Sequence, residues 1–262
     1  MKVIDAHIHL DKYPEAEQKL IINSLGENQV KALISVSMDL PSCKENLKLA
    51  ESCSRIHPAF GYHPEQPLPS DAELSTLFNW ISGNKEKMIA IGEVGFPYYM
   101  RAESKNAAFP YEGYVELLEQ FILLAKKFNK PVILHAVYDD APIACGLLEK
   151  HNIENAHFHW FKGDRNTVER MIENGYHVSF TPDILYEKET REVAKQYPLQ
   201  LMMAETDGPW PFEGKFSGKM THPAMAHDVV KELAMIKGMP VEEVSSILYA
   251  NTKRFYKLKD TK

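Results

Sequence analysis

Short apolar runs alternate along this chain with longer stretches in which hydrophobic residues recur every three to four positions. The runs are rich in Val, Ile and Phe and cover residues 3–8, 32–36, 56–60, 88–94, 132–134, 156–158, 176–180 and 201–204. Their length and β-branched content predict eight strands. The stretches between them carry a helical period, clearest in Val115, Leu118, Phe121, Ile122, Ala125 and Phe128, and again in Val229, Val230, Leu233 and Ile236. Strand and helix therefore alternate without linkers, which predicts a parallel sheet. Eight such units in about 250 residues is the size at which a parallel sheet closes. The expected fold is a (β/α)8 TIM barrel spanning 1–262 as a single domain, with an open doubly wound sheet as the alternative. Residues 97–111 read as a polar loop between a strand and a long helix, a candidate active-site flap.

Composition narrows this only a little. A chain of 262 residues with 44% hydrophobic and 25% charged residues can bury one large core. Asp5, His7, His9 and Asp11 interrupt the N-terminal run, so it has no apolar signal region, and no later segment has the length to span a bilayer. The expectation is a cytoplasmic protein with no membrane partner and no obligate protein partner evident. Cys43, Cys53 and Cys145 are scattered, offering neither a disulfide framework nor a thiolate cluster. A net charge of -6 argues against a basic, nonspecific DNA binder. Divalent cations held in one cleft would still present positive charge to an incoming phosphate.

The candidate chemistry lies at the ends of the predicted strands. His7 and His9 share one side of an extended run. With 11 histidines in the chain one H-x-H pair is expected by chance, and His157 with His159 form a second. Both pairs fall at the C-terminal ends of strands, where parallel barrels carry their active sites. Glu93, His135 and Asp207 end three further apolar runs in the same way. Each of these three alone is also readable as a helix N-cap or a surface loop residue, Asp207 above all, and His7 and His9 as histidines satisfied by hydrogen bonds. Jointly they supply imidazole and carboxylate donors suited to Zn2+, Mn2+ or Fe2+, whereas Mg2+ usually prefers oxygen.

Taken in order, DAHIHL (5–10), GYHP (61–64), IGEVGFPYY (91–99), PVILH (131–135), HWFKG (159–163), ETDGP (205–209) and NTKRF (251–255) make the chain resemble the TatD-like metal-dependent hydrolases of the amidohydrolase superfamily, the TatD-type DNases, over nearly its full length. The resemblance implies one or two divalent ions, Zn, Mg or Mn. It implies that His7, His9, Glu93 and Asp207 ligate one ion, that Glu93 bridges to a second, and that His135 and His159 complete the second site. It also implies phosphodiester hydrolysis, often of DNA ends. We expect the attack to come from a metal-activated hydroxide with Asp207 as base. His63 matches a family position facing substrate, where it could donate to an oxyanion.

Departures from the family pattern bear on the substrate. Pro97 stands where an aspartate is usual, and Val137 where an arginine is usual. Lys162, in HWFKG, is the candidate replacement for positive charge at the mouth, and TDGP is followed by Trp210. Tyr98, Tyr99, Trp160, Phe161 and Trp210 adjoin the ligands and could stack on a base or simply form an apolar rim. Arg101, Lys105, Arg165, Lys215 and Lys219 read as surface, and His57, His151, His177, His222 and His227 as structural. The expected substrate is a nucleic-acid end or a small phosphorylated or ester compound. The alternatives are a small-molecule amidohydrolase, lactonase or phosphoesterase, and a non-catalytic metal-binding protein.

Overall fold

The computed structural model describes residues 1–104 and 109–259. Eight strands stand in sequence order in one sheet: β1 (Val3–Ile8), β2 (Val30–Ser35), β3 (Ile56–Phe60), β4 (Ala90–Gly95), β5 (Val132–His135), β6 (Ala156–Phe158), β7 (His177–Phe180) and β8 (Met202–Ala204). Each pairs in parallel with the next. Backbone hydrogen bonds join the last strand to the first: Asp207 N–H donates to the His7 carbonyl at 2.9 Å and His9 N–H to the Gly208 carbonyl at 2.7 Å. The sheet is thus rolled into the expected barrel rather than left open. The bounds of β1, β3 and β6 are those expected, and the other five strands differ by one or two residues at one or both ends, because ladder bonding and not composition sets them.

Ten helices fill the connections among the described residues: α1 (Glu15–Ser24), α2 (Leu40–Ser52), α3 (Asp71–Gly83), α4 (Tyr98–Glu103), α5 (Tyr111–Phe128), α6 (Asp140–Lys150), α7 (Arg165–Glu173), α8 (Lys188–Gln196), α9 (Ala226–Lys237) and α10 (Val241–Phe255). Local chemistry starts several of them. Asp39 caps α2 by accepting from Ser42 N–H at 2.8 Å, and Ser70 with Glu73 form a reciprocal capping box on α3. The segment expected as a loop over 97–111 instead contains α4. Its cap comes from far away in sequence: the Glu65 carboxylate accepts Tyr99 N–H at 2.8 Å and Met100 N–H at 2.7 Å. Residues 105–108 of the expected flap, Lys105 included, lie outside the described residues. No described helix is long and apolar enough to cross a membrane.

Two apolar layers result. One lies between sheet and helices, where α5 buries Leu117, Leu118, Phe121, Ile122 and Ala125. The other fills the barrel from inside with Ile4, Ala32, Ile34, Ala59, Ala90, Ile133 and Met203, with Phe255 and Tyr256 in the same cluster. In β5, β6 and β8 the inward face follows alternation, so Ile133 leads to His135, His157 to His159, and Met203 to Glu205, while Asp207 lies beyond β8 in a left-handed conformation, φ 47°. In β1 and β4 the alternation fails. Their pairing shifts register between Asp5 and Ile8 and between Ile91 and Val94. These irregularities put His7 and Glu93 inside although Ala6 and Ala90, an odd number of residues earlier, already face inward.

Candidate metal centre

The strand ends bring the predicted ligands into one buried cluster. Glu93 is fully buried at the centre. Its Oε2 lies 3.1 Å from His7 Nε2 and 3.2 Å from His9 Nε2, while Asp207 Oδ1 lies 3.4 and 3.5 Å from the same two nitrogens. On the other side, Glu93 Oε1 lies 2.7 Å from His159 Nε2 and 3.1 Å from His135 Nδ1. Glu93 therefore sits between two donor groups, His7/His9/Asp207 and His135/His159. Gly95 makes the crowding possible: the His135 backbone occupies the space a Cβ would need, and its φ of 156° suits only glycine.

The cluster fits divalent ions on its own geometry. Buried polar atoms normally find hydrogen-bond partners. Here His7 Nε2, Glu93 Oε2 and Asp207 Oδ1 converge and are all buried without one. Atoms sharing one ion at roughly 2.1 Å stand about 3 to 3.5 Å apart, as these do. The electrostatics agree. Burial alone would raise Glu93, but the facing imidazoles of His159, His63 and His7 outweigh it and hold the carboxylate well below its usual range. Burial would lower His9 and His159, yet Glu93 and its neighbouring carboxylates push both up. His135 is raised in the same way, while burial lowers His7 and His63, so the carboxylates draw protons onto only part of the cluster. Burial raises Asp207 to about 7, with His159 and His9 pulling it back only in part.

A second layer that the sequence reading missed holds these ligands in place. Asp5 is buried within β1 and accepts Thr206 N–H at 2.9 Å, tying β1 to the segment bearing Asp207. Glu205 accepts Trp160 N–H at 2.7 Å and lies 3.7 Å from His159 Nδ1. Behind it runs a polar chain. Ser179 Oγ donates to Glu205, so it must accept from His157 Nε2–H at 2.5 Å, and His157 Nδ1 then accepts from Tyr256 Oη at 2.7 Å. His157 is thus fully used in this chain and is not a ligand candidate. Glu205 was findable, since it stands two residues before Asp207 on the same inward face. Asp5 carries the same signal, two residues before His7, whereas Ser179 carries none.

The substrate-facing expectations fare unequally. His63 Nδ1 accepts Glu65 N–H at 3.1 Å, which leaves the proton of the neutral ring on Nε2, 3.5 Å from Glu93 Oε1. Burial keeps His63 neutral against the pull of Glu93. Lys162 lies 3.5 Å from the buried Asp183 carboxylate and 5.3 Å from the centre of the Trp160 ring. Arg101 lies 2.9 Å from Asp140 Oδ1. Phe161 is 1% exposed and packs in the core, so it is not a stacking surface. Tyr99 and Trp210, at 45% and 58%, are open to solvent.

Barrel and cluster together define a metal-dependent hydrolase. The profile of TatD related DNases matches residues 4–257, and the chain belongs to that family. An uncharacterized metal-dependent hydrolase of Haemophilus influenzae is 40% identical over 98% of this chain and 100% of its own length. A similarly described protein of Methanocaldococcus jannaschii is 27% identical over 98% of each chain. Among solved structures, the TatD homologue YjjV of Escherichia coli superposes with a TM-score of 0.85 at 26% identity, covering 98% of each chain.

Proposed function

We propose that this chain hydrolyses phosphodiester bonds at nucleic-acid ends. The observation that carries the reading is the convergence of His7 Nε2, Glu93 Oε2 and Asp207 Oδ1, buried and without partners, beside a histidine that presents a proton. His7, His9, Glu93 and Asp207 would hold one divalent ion, with His135, His159 and Glu93 holding a second. When bound, such ions polarise the phosphoryl oxygens and lower the pKa of water from about 15.7 to near 7. Asp207 accepts the proton released as water attacks phosphorus and returns it to the leaving oxygen. His63 donates from Nε2 to a non-bridging phosphate oxygen as charge builds there. End-labelled single-stranded oligonucleotides incubated with Mg2+, Mn2+ or Zn2+ should be shortened. Intact labels with all three ions would overturn the reading.

One observation favours a second reading, hydrolysis of a small ester, lactone or phosphomonoester. The cations beside the opening already have buried carboxylate partners, Lys162 with Asp183 and Arg101 with Asp140, and position 137 is a buried valine. A rim so neutralised recruits a polyanion weakly. Faster turnover of small esters or lactones than of oligonucleotides would establish it.

A further inference from the structure

We propose that Glu65 is a positioning residue that fastens the segment carrying Tyr99 to the metal centre through His135. The proposal rests on the reading of His135 as an ion ligand. The His135 ring has two distinct edges. Nδ1 faces the cluster, 3.1 Å from Glu93 Oε1 and 3.2 Å from His159 Nε2. Nε2 faces away from it and lies 3.4 Å from Glu65 Oε1, a charge contact short of hydrogen-bond geometry. A neutral imidazole that gives Nδ1 to an ion carries its proton on Nε2. A carboxylate 3.4 Å away on that side favours that tautomer and attracts that edge of the ring.

Glu65 has a second attachment that a ligand-supporting carboxylate does not need. The oxygen that faces His135 also accepts Tyr99 N–H at 2.8 Å, and its twin accepts Met100 N–H at 2.7 Å. The Tyr99 ring, largely exposed at the mouth, stands 6.0 Å from the His135 ring. One side chain thus holds the start of α4 and the outer edge of a ligand. A substrate that displaces Tyr99 pulls on the group that orients His135, and an ion that orders His135 orders Tyr99 in turn. Neither Val137 nor Pro97, the residues standing where the family has charged ones, takes part in these contacts.

Zn2+ titration of the full chain against a chromophoric chelator, with limited proteolysis of the metal-free protein, tests this in wild type, Glu65→Ala and Tyr99→Ala. Loss of a carboxylate behind a ligating histidine costs 10- to 100-fold in affinity. Glu65→Ala should therefore weaken one of the two binding steps by about tenfold or more, leave the other near wild type, and speed cleavage within 98–104. Tyr99→Ala should leave both steps unchanged. Glu65→Ala with both steps and the cleavage rate at wild-type values would overturn the proposal, as would equal weakening of both steps with a lowered thermal midpoint, which marks general unfolding. Wild-type protein that binds no ion would instead remove the reading of the centre itself. Glu65→Gln, which keeps one acceptor oxygen, should fall between wild type and Glu65→Ala in both readouts.

Discussion

At the floor of the barrel mouth, buried nitrogen and oxygen atoms of His7, Glu93 and Asp207 face one another without hydrogen-bond partners, while at the rim the cations have found theirs, Lys162 on Asp183 and Arg101 on Asp140. The floor is a set of donors that folding leaves unsatisfied, a state that burial makes costly unless something charged enters. Those two cations of the described rim are already balanced. The two regions thus separate two questions: the floor states what reaction chemistry the chain supports, and the rim states how firmly a charged substrate is held. Family membership speaks to the first far more directly than to the second.

The largest effect should come from the floor. Asp207→Asn keeps the shape of the side chain and removes its basicity, so turnover should fall by about 10²- to 10⁴-fold, the range for a general base. The thermal midpoint should hardly move. Retention of wild-type turnover would mean that proton transfer lies elsewhere in the cluster.

The other end of the barrel supplies an intermediate effect and a control. His177 begins β7 beside Phe255, its ring centre 4.7 Å from that of the phenyl group, and both its nitrogens lack partners. Burial, reinforced by the Arg254 charge, lowers it from an ordinary 6.5 to about 4. Between those values the unfolded chain binds the proton and the folded one does not, so stability rises with pH across this window and is lost as pH falls through it. The full loss amounts to at most about 3 kcal/mol. Chemical denaturation at a series of pH values should show His177→Leu with a flatter acid limb than wild type. Parallel curves for the two proteins would assign the acid sensitivity to the floor instead.

The smallest effect belongs to the rim and is the most discriminating between substrates. If a phosphodiester is bound, Lys162→Ala should raise KM for an oligonucleotide only several-fold, because Asp183 already absorbs much of the lysine charge, and a partly exposed ion pair is worth about 1 kcal/mol or less. Its KM for a neutral ester should stay within a factor of about two of wild type. A large rise for the neutral ester would show that Lys162 shapes the opening rather than its charge.

The fold was largely legible, and so was part of the floor, for a specific reason. Along β5 and β6 the period of two runs unbroken, so His135 and His159 can be placed inward from the chain alone, whereas Asp207 follows β8 in a left-handed conformation that the period does not announce. In β1 and β4 the register shifts turn His7 and Glu93 inward against that period. Their position at the ends of apolar runs was readable, but the backbone irregularity that aims them was not. The supporting residues were less legible still. Glu65 acts across 70 positions on His135 and Ser179 across 26 on Glu205, and contacts of that range leave no periodic trace. The helical start of the segment after Pro97 was hidden for the same reason, since its cap is Glu65 rather than a neighbour.

The polar chain from Tyr256 to Glu205 has a consequence for how the molecule is made. Its two histidine contacts join residues 99 and 22 positions apart, and Tyr256 is the later partner in the first. Strands β1 to β8 can all have emerged during synthesis while Glu205 still lacks the far end of the network behind it. The polar support behind the centre is therefore complete only once Tyr256, just past the end of α10, is in place, which is after every proposed ligand, Asp207 included, has been translated.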